Sequence, residues 1–239
     1  MKDLLEIVFR NLRTYVPVLA ALVARPKMTI AKHVTGDERD LSDALVFVGI
    51  TVAIGLAFQA PLLRPGEDFT MTAGAMAAFK ILIIPFDAFL VWAAFRVVGG
   101  AGRYDATLSA YLYVISPLYL ALVVLNTTAL GLVIASNPDL ADEIRDSRTF
   151  LFDNPDQFEA LADNAPSIAW GYIGLLYSQF LAMLIWGIVC LGAFRRIHTI
   201  SKVRSAVAYV LSFVAISLSL FVIKFVMLGL HGPKGPSIS

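Results

Sequence analysis

The chain of 239 residues contains one cysteine, Cys190, and three histidines, His33, His198 and His231. A single cysteine excludes an intramolecular disulfide and any cysteine pair that binds a metal. The histidines lie far apart in sequence and form none of the short pairs that are typical of metal sites. We therefore expect no metal ion and no cofactor.

Charged residues are also scarce: they make up 15% of the chain, against about one quarter in an ordinary soluble domain. The net charge of +1 leaves no basic excess for nucleic acid, so no nucleic-acid partner is expected. Hydrophobic residues reach 58%. A soluble protein of this size does not bury so much apolar surface, so the composition predicts a partner of another kind, the lipid bilayer.

Short catalytic motifs are missing as well. The sequence has no GxxxxGK[ST], no GxSxG, no HExxH and no GxGxxG pattern. Gly99, Gly100 and Gly102 follow a predicted helix rather than a strand, which excludes a dinucleotide-binding turn. We therefore predict that the protein is not an enzyme. A membrane enzyme ranks third among the hypotheses, because the acidic residues have no histidine or metal pattern beside them.

Long apolar runs dominate the sequence instead. A membrane-spanning helix needs about 20 predominantly apolar residues. Five segments meet or approach this requirement, and they predict an all-α integral membrane bundle with five transmembrane helices. The predicted spans are residues 41–63, 71–98, 106–135, 167–194 and 205–230, which together form a membrane domain at 41–230, followed by a tail at 231–239.

The first 40 residues have a different pattern. Apolar residues recur there at helical spacing, and Lys2, Glu6, Arg10 and Arg13 fall on the opposite side. The pattern predicts a cytoplasmic, basic N-terminal segment at residues 1–40 that contains an amphipathic helix. This helix is expected to lie on the membrane surface and to break near Pro17. The alternative is a helix that caps the bundle, and both descriptions can hold together.

Lysine and arginine are distributed unevenly around the predicted spans. The N-terminal segment and the second and fourth loops hold thirteen of them, whereas the other side holds four. Since positively charged residues remain in the cytoplasm, the N-terminus is predicted to be cytoplasmic and the C-terminus extracytoplasmic. The protein is accordingly expected to be a multipass membrane protein.

The third loop, residues 136–166, is acidic and lies outside the cell in this topology. It repeats an Asn-Pro-Asp sequence at Asn137 and Asn154, which predicts the starts of two short helices. Eight acidic residues against two arginines leave the loop at about −6. The charge favours cation attraction, or alternatively a solvated surface that prevents aggregation.

Four polar residues interrupt the predicted spans and form a candidate intramembrane polar site. Ionisable side chains inside a bilayer are costly, at about 2.5–3.5 kcal/mol each, so each needs a reason. Counting along the helices places three of them at one depth, beside Pro85 and Pro117. The candidate residues are Lys80, Asp87, Ser116 and Gln179. The site is either an ion or proton pathway or a set of interhelical hydrogen bonds.

The segment from Gly99 and Gly100 to Tyr113 and Pro117 resembles the Yip domain family, which is named for membrane proteins that interact with Ypt and Rab GTPases. That family shows a glycine pair after its second span, and then a span with Tyr-x-x-x-Pro. The five-span layout is similar to that of bacterial members, so the resemblance implies a location in a bacterial cytoplasmic membrane. The resemblance implies a non-enzymatic organiser of membranes and supplies no catalytic residues. Of the eukaryotic Asp-Leu-Tyr-Gly-Pro motif, only the first two residues have a match here, at Asp40 and Leu41.

Two functional hypotheses follow. In the first, the protein binds protein partners on its cytoplasmic side or organises the membrane, using the N-terminal segment and a basic loop. In the second, it is a channel or transporter for an ion or small solute with Asp87 at its centre. Small-residue pairs such as Ala53 and Ala57 also favour close helix packing or self-association as a homo-oligomer. The candidate partner surface consists of Arg195, Arg196, Lys202 and Arg204.

Overall fold

Seven helices are described in the computed structural model, which covers residues 2–60, 69–136, 159, 162–163 and 166–230. These residues contain no β-strand. The helices are α1 (Lys2–Ala24), α2 (Pro26–His33), α3 (Glu38–Gln59), α4 (Phe69–Val97), α5 (Tyr104–Ser136), α6 (Pro166–His198) and α7 (Lys202–Leu230). The two short helices predicted after Asn137 and Asn154 fall outside the described residues.

Four of the helices are long and apolar enough to cross a membrane within the described part of the chain, at Arg39–Gln59, Tyr104–Ala135, Pro166–His198 and Lys202–Val222. The prediction of an all-α membrane bundle is therefore confirmed. The helix α4 has 29 residues, which is also sufficient length for a span. It coincides with the second predicted span, so five spans remain our prediction.

The helix α3 begins three residues before the predicted span because of its N-terminal cap. Asp37 precedes the helix and its carboxylate accepts a hydrogen bond from the backbone N–H of Arg39. Asp40 in the first turn accepts a hydrogen bond from the backbone N–H of Asp37 at 3.2 Å, and further ones from Thr35 and Gly36 at 2.6 and 2.8 Å. This reciprocal arrangement is a capping box, which satisfies backbone donors that a helix start leaves unpaired.

Helices α4, α5, α6 and α7 form a closed ring in which each helix packs against two neighbours. Helix α3 lies outside this ring and makes its main contact with α5. The backbone N–H of Ala101, between α4 and α5, donates to the carbonyl of His198 at the end of α6. The α4–α5 and α6–α7 turns therefore lie at the same end of the ring.

The N-terminal helix α1 packs into the bundle through the apolar side that its sequence pattern predicts. Tyr15 and Leu22 are buried, and the Tyr15 hydroxyl is hydrogen-bonded to the Thr51 hydroxyl on α3 at 3.0 Å. The expected break near Pro17 is wrong, because α1 is continuous from Lys2 to Ala24. Pro17 removes one backbone hydrogen bond, and the packing of α1 against the bundle on both sides of it holds the helix together.

Candidate functional site

Asp87 on α4 lies against α5 with its side chain 9% exposed. The Tyr111 hydroxyl donates to the Asp87 Oδ2 atom at 3.4 Å. The Oδ1 atom is buried and has no hydrogen-bond partner in the described part of the chain. Pro85, two residues earlier, has a carbonyl that accepts a hydrogen bond from the Tyr104 hydroxyl at 2.9 Å. Two tyrosines of α5 thus contact α4 around the buried carboxyl group.

Gln179 on α6 pairs with a different part of α5. Its Nε2 atom donates to Asn126 Oδ1 at 2.9 Å, and the Gln179 side chain is buried. Asn126 lies 15 residues after Tyr111 on the same helix, which is about 22 Å along the axis. The hydrogen-bonding groups of Asp87 and Gln179 are therefore at different depths, and the structure does not bring the two residues together.

The other two members of the predicted polar site are Ser116 on α5 and Lys80 on α4. The Ser116 side chain is fully buried, and its hydroxyl donates to the Leu112 carbonyl one turn earlier in α5 at 2.7 Å. This bond satisfies the hydroxyl within its own helix, as serine often does in apolar surroundings. Lys80 belongs to α4, but its side chain falls outside the described residues.

The glycine pair of the family motif ends helix α4. Gly99 has a φ of +90°, a conformation that glycine adopts without steric cost. The backbone N–H of Gly99 donates to the Arg96 carbonyl at 3.0 Å, and the N–H of Gly100 donates to the Phe95 carbonyl at 2.8 Å. These two bonds define a Schellman motif, which pairs the last carbonyls of a helix.

Gly100 and Gly102 leave space for the imidazole ring of His198. A Cβ atom on Gly100 would lie 2.8 Å from His198 Nδ1 and 2.7 Å from the Phe95 carbonyl oxygen. A Cβ atom on Gly102 would lie 2.8 Å from the same Nδ1. The Phe95 ring packs on the imidazole with its centroid at 4.7 Å. His198 is completely buried where the α4–α5 and α6–α7 turns meet.

His198 Nε2 is hydrogen-bonded to the Thr107 hydroxyl at 3.0 Å. The same hydroxyl lies 2.9 Å from the Arg103 carbonyl oxygen, which also accepts the backbone N–H of Thr107. His198 thus ties the end of α6 to the first turn of α5. Together with the Ala101–His198 backbone bond, it fastens the α4–α5 turn to the α6–α7 turn.

The α6–α7 turn ends helix α6 in the same way, but without a glycine. Thr199 has a φ of +53°, and it is the sole non-glycine residue with positive φ in the described part of the chain. Its N–H donates to the Arg196 carbonyl and the N–H of Ile200 donates to the Arg195 carbonyl, which is again the Schellman pattern. A β-branched residue in this conformation is strained.

Tyr113, the tyrosine of the family motif, links the N-terminal helices to the ring. Its ring centroid lies 5.3 Å from that of His33 at the end of α2 and 5.2 Å from that of Phe47 on α3. Phe47 in turn packs on Tyr15 of α1 at 4.6 Å. Pro117 follows Tyr113 by four residues inside α5 and cannot donate a hydrogen bond to its carbonyl.

Cationic side chains surround the two turns. Arg196, Lys202 and Arg204 are exposed and Arg195 is half-buried. Among the side chains that the structure describes, Arg103 and Asp105 form an ion pair. None of the four predicted partner-surface residues has an acidic partner among those side chains. They lie at the ends of α6 and α7 that face the glycine turn.

The sequence does not identify three residues of this site: His198, Thr107 and Tyr111. His198 has no metal-ligand pattern around it, and its partner Thr107 lies 91 residues away in sequence. The one available signal is the Gly-Gly-Ala-Gly sequence, because glycines next to each other indicate that another group approaches the backbone. The sequence around these glycines does not show that the group is the imidazole of His198.

Comparison with known proteins gives one match. The model of a family described as the Yip1 domain matches residues 20–224. The match includes α2 to α6, most of α7, and both the α4–α5 and the α6–α7 turn. No curated protein and no solved structure matches the chain.

Proposed function

The chain belongs to the Yip1 domain family, and from this membership we propose that it is a non-enzymatic membrane protein that binds protein partners or organises the membrane through its basic end. We define the basic end as the α4–α5 turn, the α6–α7 turn and the cations beside them. The observation that carries the proposal is that His198 joins the two turns into one unit, on which Arg196, Lys202 and Arg204 are exposed.

The family motif supports the proposal through what its residues do. Gly99 forms a turn, Gly100 leaves room for His198, and Tyr113 holds α2 and α3. These are packing roles that shape a surface. A binding protein needs such a shaped surface, whereas an enzyme additionally needs reactive groups that face a substrate.

We propose that the basic end faces the cytoplasm of a bacterial cell. Its two turns and the N-terminal segment hold thirteen of the lysines and arginines. Phe47 contacts Tyr113, and each lies nine residues after the first residue of its helix, α3 or α5. The start of α3 thus lies at the same end of the bundle as the two turns. Positively charged residues are retained on the cytoplasmic side, which supports this orientation.

The proposal is tested by cross-linking from each end of the molecule. A photo-reactive amino acid at Ala101, which is exposed in the basic end, is compared with one at Trp170, which is 70% exposed at the start of α6. We expect discrete protein adducts from position 101 and not from position 170. The adducts should disappear when Arg196 and Lys202 are both changed to Glu.

Two results would contradict the proposal. The first is the same adduct pattern from both ends of the molecule, and the second is adducts from position 101 that persist in the Arg196→Glu, Lys202→Glu variant. Either result would mean that the exposed cations do not form the partner surface.

A second candidate function, transport of an ion or small solute, is favoured by the buried and unpaired Oδ1 atom of Asp87. In proteoliposomes with a pH or potassium gradient, this candidate predicts flux that Asp87→Asn abolishes. Asp105→Asn is the control, because Asp105 lies at the basic end and pairs with Arg103. Absence of flux in the unaltered protein under both gradients would exclude this candidate.

A further inference from the structure

Two arginines from different helices approach the glycine turn. Arg96, in the last turn of α4, donates through Nη1 to the Gly100 carbonyl at 3.2 Å. Arg204, in the first turn of α7, has its Nη1 atom 3.4 Å from the position that a Cβ on Gly99 would occupy. The two guanidinium groups therefore lie beside adjacent residues of one turn, and the turn holds Arg96 through this hydrogen bond.

Their charges are not compensated. Both arginines are exposed, and neither forms an ion pair with any residue that the structure describes. Arg96 lies at a helix C-terminus, where a cation is favoured by the helix dipole. Arg204 and Lys202 lie in the first turn of α7, where the dipole disfavours cations and where no acidic residue is present. An anion at this place would be favoured by both the helix start and the guanidinium groups.

Apolar side chains next to these cations indicate which kind of anion fits. Val97 follows Arg96 and is 78% exposed, and Val203 precedes Arg204 and is 75% exposed. The Arg96 guanidinium also lies 5.9 Å from the centroid of the Trp92 ring. Cations beside exposed apolar side chains and a tryptophan, at the ends of membrane helices, are typical of the lipid headgroup region. An inorganic phosphate ion has no apolar part that could contact the two valines.

We propose that Arg96 and Arg204 bind the phosphate of an anionic phospholipid at the Gly99–Gly100 turn, with Val97 and Val203 against the lipid beneath the headgroup. Guanidinium groups match phosphate oxygens with paired hydrogen bonds, and a negative headgroup neutralises the two charges. This inference goes beyond the proposed function, because it needs no protein partner.

The test compares the binding of lipids to the purified, full-length protein in detergent. Phosphatidylglycerol or phosphatidylcholine is titrated into the protein, and the bound lipid molecules are counted by native mass spectrometry. We expect phosphatidylglycerol to bind at least tenfold more tightly than phosphatidylcholine. The double variant Arg96→Gln, Arg204→Gln should reduce phosphatidylglycerol affinity at least tenfold, whereas Arg103→Gln, which removes the arginine paired with Asp105, should leave it within twofold.

Further arms of the experiment separate the alternatives. An unchanged melting temperature of the double variant in lipid-free detergent shows that it is folded. If the double variant melts earlier, the variant Arg96→Lys, Arg204→Lys is used instead, and it should keep part of the phosphatidylglycerol affinity that the glutamine variant loses. Equal binding of both lipids, or competition by inorganic phosphate at the same concentration as the lipid, would overturn the lipid assignment. So would a double variant that loses the cross-links from position 101 but keeps its phosphatidylglycerol.

Discussion

At the scale of single residues, the basic end depends on where side chains are absent. Gly100 and Gly102 provide the volume that the His198 imidazole occupies, and the imidazole fastens two turns that are about 100 residues apart in sequence. Thr199 contributes in the opposite sense, because it holds a left-handed conformation that a β-branched residue resists. The same end of the molecule therefore contains both close packing and strain.

Substitution of Gly100 tests the packing. In Gly100→Ala the added methyl group would meet the Phe95 carbonyl oxygen, which is backbone and cannot rotate away. We expect the free energy of unfolding to fall by about 1–3 kcal/mol, the typical cost of overpacking. Gly49→Ala on α3 is the control, since nothing lies within 4 Å of its added Cβ. Equal thermal midpoints for the two variants in detergent would show that the close approach to His198 is not rigid.

Substitution of Thr199 tests the strain. A left-handed conformation costs an ordinary residue about 1–2 kcal/mol, and glycine avoids this cost. Glycine also gains about 0.4–1 kcal/mol of entropy in the unfolded chain, which opposes the gain. We expect Thr199→Gly to raise the free energy of unfolding by about 0.5–1 kcal/mol. Ala101→Gly, an exposed position without positive φ, should not raise it. A destabilised Thr199→Gly protein would count against the strained turn.

At the scale of helices, α5 organises the bundle, because it contacts α1, α2, α3, α4 and α6. It does so with polar groups at three levels: Tyr111 towards Asp87, the Val114 carbonyl towards the Trp186 indole, and Asn126 towards Gln179. Each is an interhelical hydrogen bond, the type of contact that specifies helix packing within lipid. These bonds explain why α5 tolerates Asn126 inside an apolar helix.

The bond between Asn126 and Gln179 is open to a double-mutant cycle. With Asn126→Leu and Gln179→Leu, singly and together, we expect a coupling energy of about 0.6–1.7 kcal/mol, the range found for hydrogen bonds between membrane helices. Ser178→Ala serves as the control partner for Asn126→Leu, because the Ser178 hydroxyl donates to Leu175 in its own helix. A coupling energy near zero for the Gln179 cycle would mean that the bond does not contribute to α5–α6 packing.

The contact of α2 with α5 is predicted to weaken in acid. Burial lowers the pKa of His33, and the charge of Lys32 lowers it further, while the carboxylates of Asp43 and Asp40 oppose the shift. Because the folded state disfavours the protonated imidazole, this contribution to stability is complete above the unfolded pKa of about 6.5 and is lost as pH falls below it.

The pH dependence is measured by thermal unfolding in detergent at pH 7.5 and pH 5.5. We expect the difference between the two midpoints to be smaller in His33→Phe, which keeps a ring against Tyr113 without a titrating group. An identical pH dependence in the unaltered protein and in the variant would rule out His33 as the group responsible.

At the scale of the whole molecule, some features follow from local sequence and others do not. The limits of the long helices are predictable because a run of about 20 apolar residues is a local property, and α4 to α7 begin and end within four residues of the predicted spans. The partner of Gln179 is not a local property. Gln179 pairs with Asn126, about 22 Å along α5 from the Tyr111 that contacts Asp87, because the packing of α4, α5 and α6 decides which levels of the helices meet.

The basic end illustrates the same limit. Its charges are visible in the sequence, since Arg195, Arg196, Lys202 and Arg204 lie close together along the chain. The contact of His198 with Gly100 and Gly102 depends on how α4, α5 and α6 assemble in the ring. Sequence periodicity carries no information about that assembly, so the role of His198 in joining the two turns cannot be predicted from the sequence.

The central claim is that the basic end faces the cytoplasm, and cysteine labelling tests it most directly. Cys190 is buried and is replaced by Ala to give a background without cysteine. Lys202→Cys then reports on the basic end, and Trp170→Cys reports on the opposite end of α6. With a membrane-impermeant maleimide, we predict that position 170 is labelled in intact cells and that position 202 is labelled only after the membrane is opened. Labelling of position 202 in intact cells would contradict the account.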